Sequence, residues 1–341
     1  MMFSKDIGMD LGTANTLVYV KGRGIVVNEP SVVALNENTG EVMAVGNDAR
    51  DMIGRTPGSI SAIRPMKDGV IADFEVTQAM IRKFIKKSTN NSGFFFRPML
   101  IICIPSGITE VEKRAVDEAG VQAGAKEVLM VYEPMAAAIG SGLPVGSPTG
   151  SMIVVIGGGT TEVAVISLGD IVICDSLKMA GDAFCLAISN YVKKEFNLFI
   201  GDRTAEEICI NIGSAYPYED EQPMEVKGRD LVTGLPKNVV VEPAQIRQAL
   251  AEPVDAIIEC VKSTLEKTPP ELSADIMERG ITLSGGGALL RGLDKILEYE
   301  IHIPVYVADN PLNGVIRGIG QILEDGERSQ LKQILISSRR R

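Results

Sequence analysis

Histidine is nearly absent from this chain of 341 residues: His302 is the only one, and there is no tryptophan. A single imidazole argues against a His-based catalytic triad or a histidine metal cluster. Cysteine is sparse and scattered. Cys103, Cys174, Cys185, Cys209 and Cys260 are odd in number and lack CxxC spacing, so they read as reduced core residues, not as a disulfide framework or zinc site. Basic charge is short as well: 34 Lys and Arg against 44 Asp and Glu leave a net charge of −10, which disfavours nucleic acid as the main partner. No apolar run approaches the roughly 20 residues of a membrane-spanning helix. The opening MMFSKDIGMD has neither the basic nor the apolar region of a signal peptide, so a cytoplasmic chain is expected. Walker A and GxGxxG patterns are missing, which removes the P-loop and Rossmann folds. What remains is glycine-rich, with 35 glycines and 45% hydrophobic residues, enough for about two domains or one large bilobed unit.

Strand-like and helix-like runs alternate, the pattern of an α/β protein. Residues 99–104 and 127–131 read as buried strands. Between them Thr109 and Glu112 form a capping-box pattern that starts a helix with Val111, Ala115, Val116 and Ala119 inward. A longer helix is expected to begin at Pro253, with Val254, Ile257, Ile258, Val261 and Leu265 as its apolar stripe and Pro269-Pro270 as its stop. Segments 33–62 and 214–242 look like smaller, more exposed insertions, and Arg339-Arg340-Arg341 like a solvated terminus.

An internal repeat is the most informative feature. IGMDLGTANTLVYV at 7–20 and IVVIGGGTTEVAVI at 153–166 both run strand, glycine turn, strand. Superposed, Gly12 falls on Gly157, Thr16 on Thr161, Val18 on Val163 and Val20 on Val165, which suggests a duplicated domain with a cleft between its copies. Turns without Cβ atoms let backbone N–H groups approach phosphate oxygens. Residues 12–15 and 157–160 therefore suit a polyphosphate gripped from two sides, with hydroxyls of Thr13, Thr160 and Thr161 as further donors. A third run, Ser284 to Gly287, follows a strand at 280–283 and precedes an expected helix near 288–298, an order that suits close approach of a nucleotide. Glu162 has two readings: it faces the cleft or pairs across its hairpin.

These runs, together with Glu133-Pro134-Met135-Ala136-Ala137-Ala138, Asn28-Glu29-Pro30-Ser31, residues 63–73 and residues 266–272, resemble the actin–sugar kinase–chaperone ATPase superfamily. Within it the chain is similar over nearly its whole length to the MreB/Mbl bacterial actins. The resemblance implies a two-lobed, four-subdomain actin-like fold with duplicated ribonuclease H-like domains and a nucleotide cleft between them. By resemblance the subdomains are IA (1–32, 63–146 and 312–341), IB (33–62), IIA (147–182 and 243–311) and IIB (183–242). It also implies ATP with Mg2+ as cofactors. Thr13, Ala14 and Asn15 would form the first phosphate loop, and Gly157, Gly158, Gly159 and Thr160 the second. Gly285, Gly286, Gly287 and Ala288 would face the nucleoside, with Glu206, Glu207, Ile208 and Cys209 approaching ribose and adenine after a capping-box-like Thr204. Asp10 would hold hydrated magnesium and Glu133 would orient the attacking water.

Four positions depart from that pattern. Val155 stands where the family has Asp, the counterpart of Asp10 in the first hairpin, and valine cannot hydrogen-bond a metal-bound water. Tyr132 replaces a Glu, Cys185 an acid, and Cys209 a Lys that commonly faces nucleotide. Nucleotide binding through the backbone with slowed hydrolysis is the expectation. Phe94, Phe95 and Phe96 sit together after a helix-like stretch with Val76, Met80, Phe84 and Ile85 inward and Lys83, Lys86 and Lys87 outward. Buried, they would anchor a loop; exposed, they form a wedge suited to an anionic membrane, and the resemblance favours the wedge. His302 reads as a surface or strand-end residue. The leading function is a filament beneath the inner membrane that organises wall synthesis and maintains rod shape. The partners implied by resemblance are a second copy of the chain, the membrane surface, RodZ, MreC and MreD. A sugar or acetate kinase is the alternative. A chaperone ATPase is third, because no substrate-binding domain follows within the chain.

Overall fold

Two sheets of the same design organise the chain, whose computed structural model describes residues 6–53, 58–89, 97–325 and 330–337. Phe94 to Phe96 and Arg339 to Arg341 lie outside the described residues. In the first lobe, β1 (Ile7–Leu11), β2 (Asn15–Val20), β3 (Gly24–Pro30), β4 (Met99–Ile104) and β5 (Glu127–Tyr132) make a sheet in the order β5-β4-β1-β2-β3. In the second, β6 (Ser151–Ile156), β7 (Thr161–Ser167), β8 (Asp170–Leu177), β9 (Ile281–Ser284) and β10 (Val305–Val307) run β8-β7-β6-β9-β10. Each sheet has three antiparallel strands followed by two parallel ones. The duplication inferred from sequence holds at the level of register. Leu11 pairs with Thr16 as Ile156 pairs with Thr161, and Met9 with Val18 as Val154 with Val163.

Strand alternation decides where each face goes. Ile7, Met9 and Leu11 enter the first lobe's core, and Met152, Val154 and Ile156 the second lobe's core. The opposite faces meet a third core between the lobes, where Leu17, Ile153, Val155, Ala164 and Ile166 pack on two helices, Glu133–Gly140 and Gly314–Glu324. Those helices cross through glycine. A Cβ on Gly140 would strike the Gly314 carbonyl, and one on Gly318 would strike the carbonyl of Ala136. Smaller sheets project from each lobe: Val33–Asn36 with Val42–Val45 and Ile60–Ile63, and Leu198–Phe199 with Met224–Asp230 and Pro236–Val241.

Local signals were right where they coincided with packing. The 110–123 helix carries the Thr109–Glu112 capping box, with Val116 and Ala119 buried. Val111, however, is 77% exposed, because one residue into the helix it has no neighbour to pack on. The long helix begins at Pro243, not Pro253. Glu242 caps it with Gln245, and Ile246, Leu250, Pro253 and Val254 form one continuous buried stripe through the inner proline. Pro253 removes one helical hydrogen bond, and burial outweighs that loss. After the third glycine run the chain makes a short 3-10 turn (Gly286–Leu289), and the α-helix starts only at Leu293, after a left-handed Gly292. Thr204 lies inside the helix Asp202–Ile212, whose first-turn flank is Gly201, so it caps nothing. Free cysteines are found at all five positions, one buried and four half-buried. His302 ends the helix Leu293–Ile301 in a left-handed conformation, at the surface.

Candidate functional site

The two glycine hairpins meet face to face. A Cβ built on Gly158 would lie 2.7 Å from the Ala14 side chain and 3.1 Å from its backbone nitrogen. One on Gly159 would lie 2.9 Å from the Thr13 hydroxyl and 3.0 Å from the backbone of Asp68. Only glycine permits this approach. Each hairpin is closed by its own bond, Gly12 N–H to the Asn15 carbonyl (3.2 Å) and Gly157 N–H to that of Thr160 (2.9 Å).

Loop carbonyls are held from outside. Ser31 donates its hydroxyl to the Gly12 carbonyl and its N–H to that of Ala14, while the N–H groups of Gly181 and Asp182 reach the carbonyls of Gly157 and Gly158. The Thr13 hydroxyl accepts from Gly69 N–H at 3.0 Å. The amides of Thr13, Ala14, Gly158 and Gly159 donate to no partner among the described residues. Such unspent backbone donors, gathered from two facing turns, favour an anion.

The third glycine run stacks on the end of β6. Gly285 adopts φ 85°, and side chains on Gly285 or Gly287 would collide with Ile156. Leu289 and Leu312 remain 53% and 55% exposed beside it. Ala288 is buried in the second lobe's core, as is Ile208, so neither side chain reaches the cleft. Glu206 and Cys209 lie towards Cys185: burial first, with the Glu206 charge adding to it, pushes the Cys185 thiol up to about 12 and that of Cys209 up to about 11. Glu207 instead pairs with exposed Arg203 at 3.1 Å. Tyr132 lies beneath the Lys113 ammonium, 5.7 Å from its ring centroid, an aromatic partner where the family pattern has an acid.

Three acids converge below the hairpins. Asp10 accepts a hydrogen bond from the Cys103 thiol (3.1 Å), and burial lifts its carboxyl to about 6. Glu133, at the start of the inter-lobe helix, is raised well above the usual range by burial first, then by Glu162 and Asp10. Glu162 is fully buried, raised to about 6 by burial and held down by hydrogen bonds from the hydroxyl and N–H of Ser106. Glu162 thus belongs to the cleft and does not pair along its hairpin. Among the described residues no group of three or more His, Cys, Asp or Glu closes directly around a metal ion. Crowded carboxylates, all hard oxygen donors, fit a hydrated magnesium held through its waters. Val155 withdraws one such donor.

Charged residues join the lobes at the cleft mouth: Arg64 with Asp182 at 3.0 Å and Lys178 with Asp68 at 4.0 Å. Sequence reasoning missed Ser31 and Ser106. Each is a lone serine beside a proline, and its role depends on a fold partner distant in the chain.

Repeated sheets, facing hairpins and a helix pair between them define the class as an actin-like fold. Comparison with known proteins narrows it. The MreB/Mbl protein family matches residues 4–331. The cell shape-determining protein Mbl of Bacillus subtilis is 53% identical over 327 residues, covering 96% of this chain and 98% of that relative. The cell shape-determining protein MreB of Escherichia coli K12 is 54% identical, covering 95% and 94%. The crystal structure of MreB5 of Spiroplasma citri bound to ADP superposes with a TM-score of 0.90 at 40% identity, covering 96% of this chain and 97% of that one. A MamK double helical filament, 21% identical with a TM-score of 0.80, shares the fold. The chain belongs to the MreB/Mbl family.

Proposed function

We propose that the cleft binds an adenine nucleotide with magnesium and that the chain assembles into filaments whose subunit conformation is biased by that nucleotide. The observation that carries this reading is the pair of facing glycine turns with unspent amides. The solved MreB5 structures with ADP and AMPPNP support it through family likeness. Thr13, Ala14 and Asn15 grip phosphate from the first lobe and Gly157 to Thr160 from the second. Gly285 to Gly287 border the nucleoside, with Glu206, Glu207 and Cys209 on its far side. Asp10 would hold a magnesium-bound water and Glu133 would orient the attacking one. Magnesium, when bound, neutralises phosphate charge. Val155 slows hydrolysis without removing binding, since binding rests on backbone.

Family membership supports the wider role: filaments at the inner membrane surface, attached through Phe94 to Phe96, organising wall synthesis with RodZ, MreC and MreD and maintaining rod shape. Segments 33–62 and 183–242 serve as the smaller subdomains that close over nucleotide. A filament adds many weak membrane contacts, so one short wedge per subunit suffices.

Calorimetry with ADP and sedimentation with ATP, with and without anionic liposomes, test this. Saturable ADP binding, nucleotide-dependent pelleting and co-pelleting with vesicles are expected. Absence of any adenine nucleotide binding would overturn the reading. Liposome pelleting unchanged by Phe95→Ser and Phe96→Ser would remove the wedge alone.

A further inference from the structure

The two hairpins carry their acids on opposite strands. In the first, Asp10 on β1 pairs with Leu17 on β2; in the second, Val155 on β6 pairs with Glu162 on β7. Directly opposed residues share one face of a sheet with Cβ atoms about 5 Å apart. Both faces look into the space between the lobes, since Leu17 and Val155 both belong to the inter-lobe core. An acid lost from one side of the ladder therefore has a neighbour of the same charge directly across it.

Glu162 is held in an unusual way. Its Oε1 accepts two hydrogen bonds, from the backbone N–H and the hydroxyl of Ser106, each 2.8 Å. Ser106 belongs to the first lobe, in the turn after β4, whereas Glu162 belongs to the second. The Cys174 thiol on β8 donates to the Ser106 hydroxyl at 3.0 Å and braces it from the second lobe. Glu162 Oε2 is buried and has no hydrogen-bond partner among the described residues. A buried carboxylate oxygen without a donor is costly to keep, and its charge acts on Glu133.

We propose that Glu162 is the second lobe's catalytic base in this chain, its free Oε2 accepting a hydrogen bond from the attacking water in place of the aspartate missing at 155, with Ser106 of the first lobe aiming it. The proposal rests on nucleotide binding in the cleft. In the step, the water oxygen forms a bond to the γ-phosphorus while the bond from that phosphorus to the bridging oxygen breaks. The bridging electron pair leaves with ADP. A water proton passes to Oε2 and from there to the released phosphate. Because the carboxylate and its anchor sit in different lobes, the acid is aimed only when the lobes are closed, and hydrolysis is tied to closure.

Full-length variants decide the matter through phosphate release from ATP, with ADP affinity measured in parallel by calorimetry. Glu162→Gln should lower release at least about tenfold, a general-base-sized loss, while ADP affinity changes less than about threefold. Adding Val155→Asp to Glu162→Gln should restore most of the rate, because the replaced acid returns across the ladder; a purely structural Glu162 gives no such rescue. Ser106→Ala should lower release about threefold or more and keep ADP binding; if Glu162→Gln does not fold, this variant decides. Release within twofold of the parent in Glu162→Gln, or failure of rescue, overturns the proposal. So does a parent that binds ADP and releases no phosphate. A parent that binds no adenine nucleotide instead defeats the functional reading beneath it.

Discussion

The two cleft walls share a backbone and differ in chemistry. The first-lobe turn, residues 12–15, is one glycine and three side-chain-bearing residues with an acid on the incoming strand. The second, 157–160, has three glycines and its acid on the outgoing strand. Their closing bonds and registers nevertheless agree. Donor geometry is thus fixed by the turn and the ladder, whereas charge can move across the ladder without disturbing either. The extra glycines of the second turn have a cause in the first: Gly158 and Gly159 yield the room that Ala14 and Thr13 occupy.

Five substitutions break or sharpen that comparison. The largest effect is expected from Gly318→Val, whose side chain would overlap the Ala136 carbonyl at the helix crossing. Overpacking of this kind costs about 3 kcal/mol or more. Thermal unfolding should show one lowered transition, because both lobes share the crossing; two separate transitions would contradict a common core.

Gly158→Val pushes on the opposite lobe, so ADP affinity should fall at least about tenfold. Gly12→Ala pushes on its own Asn15 carbonyl, 2.7 Å away, and should instead reduce stability by about 1–3 kcal/mol. Equal effects of the two on affinity and stability would erase the distinction between the walls.

Val155→Asp buries a second carboxyl on the inter-lobe face, directly across the ladder from Glu162. Without nucleotide it should lower stability by about 1–3 kcal/mol, from burial of a polar group. It should also raise phosphate release at least about tenfold and regain stability with magnesium and ADP, as melting in each condition would reveal.

The smallest effect belongs to Arg64→Ala. Its pair with Asp182 links the lobes but is roughly half exposed on both sides, so removal should cost less than about 1 kcal/mol and less again in high salt.

The repeat was legible because it is written in local signals. Glycine placement sets the turns, and alternating aliphatic residues set the strands, so Gly12, Gly157 and the paired threonines could be aligned by eye. The helix start at Pro243 was hidden by a second, equally plausible proline at Pro253, and only the buried stripe from Ile246 onward distinguishes them. At the site, Asp10, Glu133 and the glycines were named from the sequence. The direction of Glu162 was not, because its partner Ser106 is 56 positions away in the chain and lies in the other lobe. Ile208 and Ala288 were placed near nucleotide by position within a motif, but helix and turn geometry direct both side chains into the core.

The glycine crossing between the Glu133 and Gly314 helices has a mechanical consequence. Two rods touching backbone to backbone at Gly140, Gly314 and Gly318 act as a rivet. Halves fastened at one rivet can scissor but cannot drift apart, so a small displacement at the glycine turns becomes a larger, opposite swing at the far tips. Glu133 opens one of those two rods, so the buried acid proposed to orient water rides on the part that registers the swing.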